Sequence, residues 1–382
     1  MLKNFNIEEF LSELERLVNI DSGSHMPQGT KKMAEYFTNK FTELGWQVKC
    51  QSNGEAVGPC IQFMNKDADQ YDVLLLGHMD TVFPAGTANE RPFKICGDKA
   101  YGPGVVDMKA SLLFAYYALK DLQEAGKLKD AAVCVSFNSD EEISSVYSRP
   151  IIEELAKRSK YALVMEPARK DGEMVNQRRG VARYTLDATG VAAHAGVNPQ
   201  DGSSAINELA YWILELHKQN NYAMGTSINV GVITGGATPN TIADKAKAEV
   251  DVRFTDSREI AKLELFMKEL QKKPVTPGGA QIKVTGGVRR PPMNPTPATL
   301  SLCDDITNIA QKIGVEFRWI ATGGGSDASF TAMHGVPTVD GVGPVGAHAH
   351  TENEYLEINT LLPRLKLTTA TIDHVVNNLS KR

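Results

Sequence analysis

Five short stretches of the chain carry side chains that could bind metal ions or move protons. The first, LLLGHMDTVF, ends an apolar run with a glycine, and a histidine and an aspartate follow two residues apart. Alternate side chains of an extended segment point to the same side, so His78 and Asp80 are expected to lie together. Gly77 is expected to let the chain turn out of the sheet. The other stretches, YGPGVVDMK, FNSDEE, LVMEP and GAHAHTENE, contribute Asp107, Asp140, Glu141, Glu142, Glu166, His348 and His350.

Each stretch taken alone also has an ordinary structural explanation. Asp107 precedes a predicted helix and could cap its N-terminus. The acidic run from Asp140 to Glu142 could be a solvated turn, and the pair at 78 and 80 could be a polar strand end. Their joint arrangement favours function, because each stretch follows a predicted strand of one sheet. Open α/β sheets bind ligands in the crevice at the carboxyl ends of their strands.

Histidines and carboxylates that converge without thiolates suit zinc, or a harder divalent ion such as cobalt or manganese. The five cysteines are scattered and form no Cys-x-x-Cys pair, which argues against a thiolate site and favours a reduced, cytoplasmic protein. One zinc ion needs only three protein ligands and a water. The number of carboxylates therefore favours two divalent ions that share a bridging aspartate.

Predicted helices and strands alternate around these stretches, which indicates an α/β sheet with helices on its faces. The predicted helices of this part lie near 7–18, 30–44, 109–124, 150–158 and 357–377, and the strands near 73–76, 132–137 and 161–165. Past QRRG the pattern changes to strands with period-2 alternation and two helices, near 203–217 and 257–270, typical of a small α+β domain. We expect a catalytic domain in two parts, 1–178 and 289–382, interrupted by an inserted domain at 179–288.

The composition limits the class of partner. The chain has 382 residues, 42% hydrophobic and 23% charged, with a net charge of −5. That length favours two domains, and the charge argues against a nucleic-acid or anionic-membrane partner. The N-terminal stretch has acids where a signal peptide would be apolar, and no apolar run is long enough to span a membrane. We therefore expect neither export nor a membrane anchor.

The five stretches, in this order, resemble the signature of the M20 family of metallopeptidases, and the similarity spans nearly the whole chain. HMDTVFPAGTANERPFKICGDKAYGPGVVDMK and AAHAGVNPQDG resemble the branch of glutamate carboxypeptidases of the carboxypeptidase G type. The resemblance implies a mixed-sheet zinc-peptidase catalytic domain interrupted by a ferredoxin-like lid and dimerisation domain. It also implies a homodimer formed through that inserted domain.

The resemblance implies a role for each residue of the five stretches. Asp107 would bridge two ions, with His78 and Glu166 completing one site and Glu142 and His350 the other. Two further roles follow. Asp80 would accept the free ring N–H of the first histidine and fix its tautomer, and Glu141 would be the general base for a metal-bridging water. His348 is expected to be structural rather than a ligand.

The resemblance also implies residues that bind the substrate. Equivalents of His194 and Asn240 stabilise the tetrahedral oxyanion, and Arg253 would lie nearby. Arg289 or Arg290 could bind a substrate α-carboxylate through a bidentate fork, and we favour Arg289. The loop TGGGSDASF lacks the Gly-Lys-Ser/Thr ending of a P-loop. It is expected to bring the backbone of residues 323–325, including Gly324 and Gly325, close to the substrate carboxylate.

The leading hypothesis is a two-metal exopeptidase that releases a C-terminal residue, glutamate above all, from a small peptide. An N-acyl-amino-acid deacylase or a desuccinylase of the same fold is the first alternative, because it shares the reaction and differs only in what flanks the amide. A two-metal phosphoesterase would need a basic clamp, for which the candidates are Arg253, Arg289 and Arg290. A non-catalytic metal-binding protein is the alternative of another class, although such a protein would have no need of Glu141.

Overall fold

The chain folds as a mixed α/β protein in the computed structural model, which describes residues 2–379. The α-helices are α1 (Ile7–Val18), α2 (Pro27–Glu43), α3 (Thr87–Glu90), α4 (Ala110–Glu124), α5 (Arg149–Lys157), α6 (Ala205–His217), α7 (Ser257–Gln271), α8 (Pro297–Ile313), α9 (Ala328–Met333) and α10 (Leu361–His374). The strands are β1 (Gln47–Gln51), β2 (Cys60–Met64), β3 (Val73–His78), β4 (Lys94–Cys96), β5 (Lys99–Tyr101), β6 (Val133–Asn138), β7 (Ala162–Val164), β8 (Met174–Arg178), β9 (Gly180–Thr189), β10 (Ser227–Gly235), β11 (Lys245–Phe254), β12 (Gln281–Arg290), β13 (Trp319–Thr322), β14 (Thr338–Asp340), β15 (Gly346–Ala347) and β16 (Tyr355–Glu357).

The largest sheet has eight strands in the order β1-β2-β6-β3-β7-β14-β8-β13. Its centre is parallel, because β3 pairs with both β6 and β7, and β14 pairs with β7, all in the parallel sense. The apolar run predicted as a strand is β3, and all six of its residues are buried. Parallel strands buried on both faces read as continuous apolar runs. The carboxyl ends of these strands therefore meet at one edge of the sheet.

A second, small sheet has the order β15-β16-β5-β4 and is antiparallel throughout. Asp107 follows β5, and His350 follows β15. The expectation that all five stretches follow strands of one sheet is therefore wrong for these two residues. The strands that precede them have two or three residues, too short to show a hydrophobic period in the sequence.

Gly77 does not turn the chain, because it lies inside β3 and pairs in register with Phe137 of β6. A Cβ at this position would come within 2.7 Å of Leu112 Cδ2 and 3.1 Å of Met108 Cε. The glycine is therefore required by the close approach of α4 to the sheet. This packing sets the position of the helix that follows Asp107.

The chain divides into two compact units. The first contains the described residues up to Gln177, Asn294–Thr322 and those from Ser326 onward; the second contains Arg178–Met293 and Gly323–Gly325. These bounds differ from the predicted 179–288 because β12 (Gln281–Arg290) and the residues just after it belong to the second unit. The glycine segment of TGGGSDASF also groups with the second unit, although it is distant from it in sequence.

The second unit is an antiparallel sheet of four strands, β10-β11-β9-β12, with a hydrophobic core of its own. Alternate residues of β9 and β11 are buried, as their period-2 patterns predict. The two helices of this unit, α6 and α7, contribute buried residues such as Trp212 and Leu263 to the same core. Among residues 2–379, no helix is both long enough and apolar enough to cross a membrane.

Candidate metal centre

The carboxylate of Asp107 lies between two histidines. Its Oδ1 is 3.2 Å from His78 Nε2, and its Oδ2 is 3.2 Å from His350 Nε2. The two oxygens of one carboxylate thus face two different ring nitrogens. A carboxylate in this arrangement can bridge two cations, each of which would also contact one histidine.

Two more carboxylates complete the arrangement, one beside each histidine. Glu166 Oε1 is 3.7 Å from His78 Nε2, and Glu142 Oε2 is 3.2 Å from His350 Nε2. His78, Asp107 and Glu166 form one group whose ligand atoms lie within 4.8 Å of one another, and Asp107, Glu142 and His350 form the second. The structure thus brings together the five residues predicted as ligands, with Asp107 common to both groups.

The donor atoms of this cluster fit metal ions better than they fit one another. Glu142 Oε1 is buried and accepts no hydrogen bond, and the buried Asp107 Oδ1 faces the ring nitrogen of His78. Buried carboxylate oxygens without donors are costly unless a cation binds them. Imidazole nitrogens together with carboxylate oxygens, in two groups of three, suit a pair of zinc or similar divalent ions.

The pKa values of these groups reflect their mutual charge. Burial alone would lower the pKa of His78, but hydrogen bonds to Asp107 and Asp80 raise this pKa well above its ordinary value. The neighbouring Asp107 and Glu142 raise the pKa of His350 to about 11. Burial would raise the pKa of Asp107, yet the two histidines hold it well below its usual range. Without metal, the cluster therefore favours imidazolium–carboxylate pairs, whose protons a metal ion must displace.

Asp80 has a wider role than the sequence indicates. His78 Nδ1 lies 3.0 Å from the Asp80 backbone carbonyl oxygen and 3.4 Å from the carboxylate, so the closer partner is the main chain. The carboxylate instead accepts hydrogen bonds from the backbone N–H groups of Glu141 and Glu142 and from the hydroxyl of Ser24. The fully buried Asp80 therefore joins the first histidine to the turn that carries the acidic pair.

The acidic pair lies in a short 3₁₀ turn directly after β6. Glu142 belongs to the second metal group, whereas Glu141 belongs to neither group. The side chain of Asp140 does not contribute to either group, because it accepts hydrogen bonds from the backbone N–H groups of Tyr147 and Ser148 and from the Ser148 hydroxyl. The three adjacent acids therefore differ in their relation to the metal groups. Apart from the family resemblance, nothing in the sequence distinguishes them.

His348 and His350 do not share one face of an extended segment. Both have positive φ, of 61° and 66°, because a turn follows β15. The ring of His348 contacts Tyr355, with ring centroids 5.7 Å apart, and His348 belongs to neither metal group. The turn therefore directs only the second histidine toward Asp107.

Two residues near the centre had no functional signal in the sequence. Ser24 donates its hydroxyl to Asp80 Oδ2 at 2.7 Å, although the two are far apart in the chain. Glu354 is part of the quoted stretch GAHAHTENE, and its buried carboxylate binds the backbone of the segment that carries Asp107. In the sequence, neither the spacing nor the type of these two residues distinguishes them from ordinary surface residues.

The second unit contains the candidate oxyanion donors. His194 lies in a loop that forms an isolated β-bridge with Thr241, and the backbone N–H of Ala195 donates to the Asn240 carbonyl oxygen at 2.9 Å. The loops of His194 and Asn240 are therefore neighbours within this unit. His194 Nδ1 accepts the backbone N–H of Gly196 at 3.1 Å, which orients its ring.

Arg253 and the glycine segment are also neighbours in the second unit. Arg253 Nη1 donates to the Gly323 carbonyl oxygen at 3.2 Å, and its Nε donates to Asp251 at 2.7 Å. A Cβ on Gly325 would come within 2.7 Å of Arg290 Cδ, so this glycine is required by the close approach of an arginine. The buried Arg290, rather than the favoured and exposed Arg289, lies beside the glycine segment. Arg289 instead lines a cavity of about 440 Å³ on the sheet of this unit.

Comparison with known proteins identifies the family. A sequence model described as Peptidase family M20/M25/M40 matches residues 74–374. The chain is 31% identical over 363 residues to "Carboxypeptidase G2" of Pseudomonas sp. (strain RS-16), which covers 93% of this chain and 86% of that protein. The chain belongs to the M20 family of metallopeptidases.

Two further comparisons show how wide the range of similar proteins is. The crystal structure of aminopeptidase PepT from Bacillus cereus ATCC 10987 matches with a TM-score of 0.77 and 26% identity, covering 97% of this chain and 99% of that one. "Acetylornithine deacetylase" of Buchnera aphidicola is 22% identical over 381 residues, 94% of this chain and 96% of that protein. This M20 protein is thus a metal-dependent hydrolase of amide bonds, which excludes the non-catalytic alternative, but its relatives differ in the amide they cleave.

Proposed function

We propose that this M20 protein is a two-metal exopeptidase that cleaves the amide bond to a C-terminal amino acid, with glutamate preferred. One observation carries the proposal: the Asp107 carboxylate lies 3.2 Å from both His78 Nε2 and His350 Nε2. A shared carboxylate between two sets of ligands is the arrangement by which two ions act on one substrate. The ions are zinc in our proposal, with cobalt or manganese able to replace it.

The ligands divide between the two ions. His78 and Glu166 would hold one ion, Glu142 and His350 the other, and Asp107 both. Bound there, the ions would lower the pKa of water and polarise the scissile carbonyl group. The ligands come from two sheets, so the cluster is held by the packing of the unit and not by one flexible loop.

Glu141 is the proposed general base. It is adjacent in the chain to the ligand Glu142, yet it belongs to neither metal group. Its backbone N–H is held by Asp80 Oδ1 at 3.2 Å, so its position is tied to that of the first histidine. In this role Glu141 accepts a proton from the attacking water and passes it to the nitrogen of the leaving amine.

The second unit supplies the proposed substrate contacts. His194 and Asn240 would donate hydrogen bonds to the oxyanion, from the same chain or from a second copy. Arg253 and the backbone of Gly324 and Gly325 would bind the substrate carboxylate, supported by the contact of Arg253 with the glycine segment. Arg290, which lies against Gly325, replaces Arg289 as our candidate for an additional cation.

The carboxypeptidase assignment is supported by the 31% identity to "Carboxypeptidase G2", and the preference for glutamate rests on the resemblance of the sequence motifs to glutamate carboxypeptidases. A deacylase, such as an acetylornithine deacetylase, or a desuccinylase is the second candidate, supported by the full-length similarity to "Acetylornithine deacetylase". A panel of N-acylglutamates, dipeptides ending in glutamate, and N-acetylated amino acids separates the two. We expect the highest kcat/KM on amides of glutamate with a large acyl part. If simple acetylated amino acids are cleaved faster, the deacylase function replaces the carboxypeptidase function as our proposal.

Dependence on metal is the broader part of the proposal. We expect chelation to abolish activity and Zn²⁺ or Co²⁺ to restore it, because no protein group alone supplies the same polarisation. Metal analysis of the active protein should give two ions per chain. Full activity in a metal-free sample would overturn the mechanism.

We also propose that the chain forms a homodimer through its second unit. Edge strand β10 exposes Val232 and Ile233, which are 51% and 55% exposed, and α6 exposes Ile206 and Leu214. An exposed edge strand with apolar residues favours pairing with another chain. Ile233→Glu should lower the mass measured by light scattering from that of a dimer to that of one chain.

The cytoplasmic location stays a prediction, which cell fractionation can test.

A further inference from the structure

Glu354 is a buried carboxylate, 1% exposed, at the entrance of β16. Its Oε2 accepts the backbone N–H of Gly104 at 3.0 Å. Its Oε1 accepts the backbone N–H groups of Val106 at 2.9 Å and Asp107 at 3.1 Å. Three hydrogen bonds to one side chain thus hold the segment that presents the shared carboxylate of the metal centre.

The segment needs an acceptor from elsewhere in the fold. Asp107 has non-helical backbone angles, with φ −115° and ψ 90°, in the irregular turn that precedes α4. Buried backbone N–H groups in an irregular turn need a hydrogen-bond partner from elsewhere in the fold. Glu354 supplies that partner, so the direction of the Asp107 side chain depends on a residue far away in the sequence.

The same residue also belongs to the turn of the second histidine. Glu354 follows His350 closely, and its own backbone N–H donates to the Thr351 carbonyl oxygen at 3.3 Å. The next residue, Tyr355, pairs in register with Tyr101 of β5, the strand that leads to Asp107. One side chain therefore connects the segments of two ligands, Asp107 and His350, whose atoms lie 3.2 Å apart.

The two metal groups depend on this connection to different extents. His78 ends β3 and Glu166 follows β7, and both strands lie in the centre of the large sheet. His350 lies in a turn of the small sheet, with positive φ and a side chain that is 50% exposed. Glu142 of the second group also follows a central strand, β6, so the two groups differ in their histidines. The histidine of the first group ends a rigid strand, whereas the histidine of the second group lies in the turn that Glu354 ties to the Asp107 segment.

We propose that Glu354 is a positioning residue for the second metal ion: it orders Asp107 and His350 relative to each other before any ion binds. The inference rests on the proposed two-metal function. A carboxylate is needed because both oxygens accept N–H groups. A glutamine would keep the size but direct its own NH₂ group toward a backbone N–H, either at Gly104 or at Val106 and Asp107.

The test is a Co²⁺ titration of the metal-free protein, followed by visible absorption and calorimetry. Wild type should bind two ions. In Glu354→Gln the first ion should bind within a few-fold of wild type and the second about 10- to 100-fold more weakly, the usual effect of removing a group that orients ligands. Glu352→Gln is the matched control, because it removes an exposed carboxylate from the same turn and should leave both affinities unchanged.

The outcomes separate this inference from the proposed function. If wild type binds fewer than two ions, the two-metal function is wrong. If wild type and Glu354→Gln both bind two ions with equal affinities, only the role of Glu354 is wrong. If Glu352→Gln also lowers the affinity for the second ion, the effect comes from the charge of the turn, and the inference is overturned as well.

A second measurement needs no variant, in case Glu354→Gln does not fold. Hydrogen–deuterium exchange of metal-free wild type should show slow exchange in the peptide that contains Gly104, Val106 and Asp107, because their N–H groups are bonded to a buried acceptor. Exchange at the rate of an open loop, with protection appearing only after Co²⁺ is added, would show that the ion and not Glu354 orders this segment.

Discussion

Asp80 Oδ1 accepts the backbone N–H of Glu141 at 3.2 Å. Asp80, which faces His78, thus also holds the backbone of Glu141, the proposed base. Its other oxygen accepts hydrogen bonds from the Glu142 N–H and the Ser24 hydroxyl. The buried Asp80 therefore links the base to a ligand of each metal group, to Glu142 through its carboxylate and to His78 mainly through its backbone carbonyl.

Asp80→Asn should lower kcat/KM about 10- to 100-fold, the range typical of residues that orient metal ligands. An amide offers one acceptor oxygen in place of two, so at least one of these donors loses its partner. Steady-state kinetics together with metal analysis provides the measurement. Ser24→Ala, which removes one of the donors and leaves the carboxylate, serves as the graded control and should have a smaller effect. Equal activity of Asp80→Asn and wild type would contradict this role.

The adjacent acids should respond differently to the same substitution. Glu141→Gln should keep both ions and lose about 10²- to 10⁴-fold in kcat, because a general base acts in the transition state. Glu142→Gln should instead weaken the second ion, since its carboxylate lies 3.2 Å from His350 Nε2. The measurement is metal content and kcat of both variants. Each variant is the control for the other, because both remove one negative charge from the same turn. Loss of metal from Glu141→Gln would reverse the assigned roles.

Metal binding should release protons near neutral pH. Without metal, the pKa of His350 is raised to about 11 by Asp107 and Glu142, so the imidazole is protonated at pH 7.5 and must lose its proton to bind an ion. Affinity should therefore rise with pH between 6 and 9. Calorimetry in two buffers of different ionisation enthalpy gives the number of protons released, and we expect at least one per chain. A pH-independent affinity would contradict the raised pKa.

The metal-free protein should show the opposite trend in stability. The folded pKa of His350 lies above its ordinary value of 6.5. Its stabilising contribution is therefore fully present below pH 6.5 and is lost as the pH rises toward 11. Thermal unfolding of the metal-free protein across this range should give a falling Tm. Because this histidine is half exposed, solvent screening keeps the effect small. His350→Gln should flatten this slope, and an unchanged slope would assign the trend to other groups.

Arg253→Met should raise KM for substrates with a C-terminal glutamate more than it lowers kcat. A hydrogen bond between charged groups contributes about 1.5–3 kcal/mol, or roughly 10- to 100-fold in binding. Arg258→Met is the control, because Arg258 is exposed and pairs only locally with Asp256. A C-terminal amide substrate, which lacks the carboxylate charge, should reduce the difference between the two variants. A KM for Arg253→Met equal to that of the control would remove Arg253 from substrate binding.

The regular elements with strong periodic patterns could be predicted from the sequence. The helix at 7–18 and the strands of the parallel centre lie where the apolar patterns indicate. Strands β4, β5 and β15 escaped prediction, because they have two or three residues and, unlike the equally short β7, do not lie in an apolar run. These short strands belong to the small sheet that leads to Asp107 and His350, so the least predictable part of the fold positions two of the ligands.

The sequence by itself determined which kinds of residue could bind metal, their order along the chain and the M20 family. These properties are local or follow from ordered motifs, and they need no knowledge of distances. Only the tertiary structure decided that Asp107 faces two histidines, that Arg290 rather than Arg289 lies beside Gly325, and that Glu354 holds the backbone of the bridging residue. Such contacts join residues far apart in the chain, and their geometry follows from how the sheets, turns and helices pack around them.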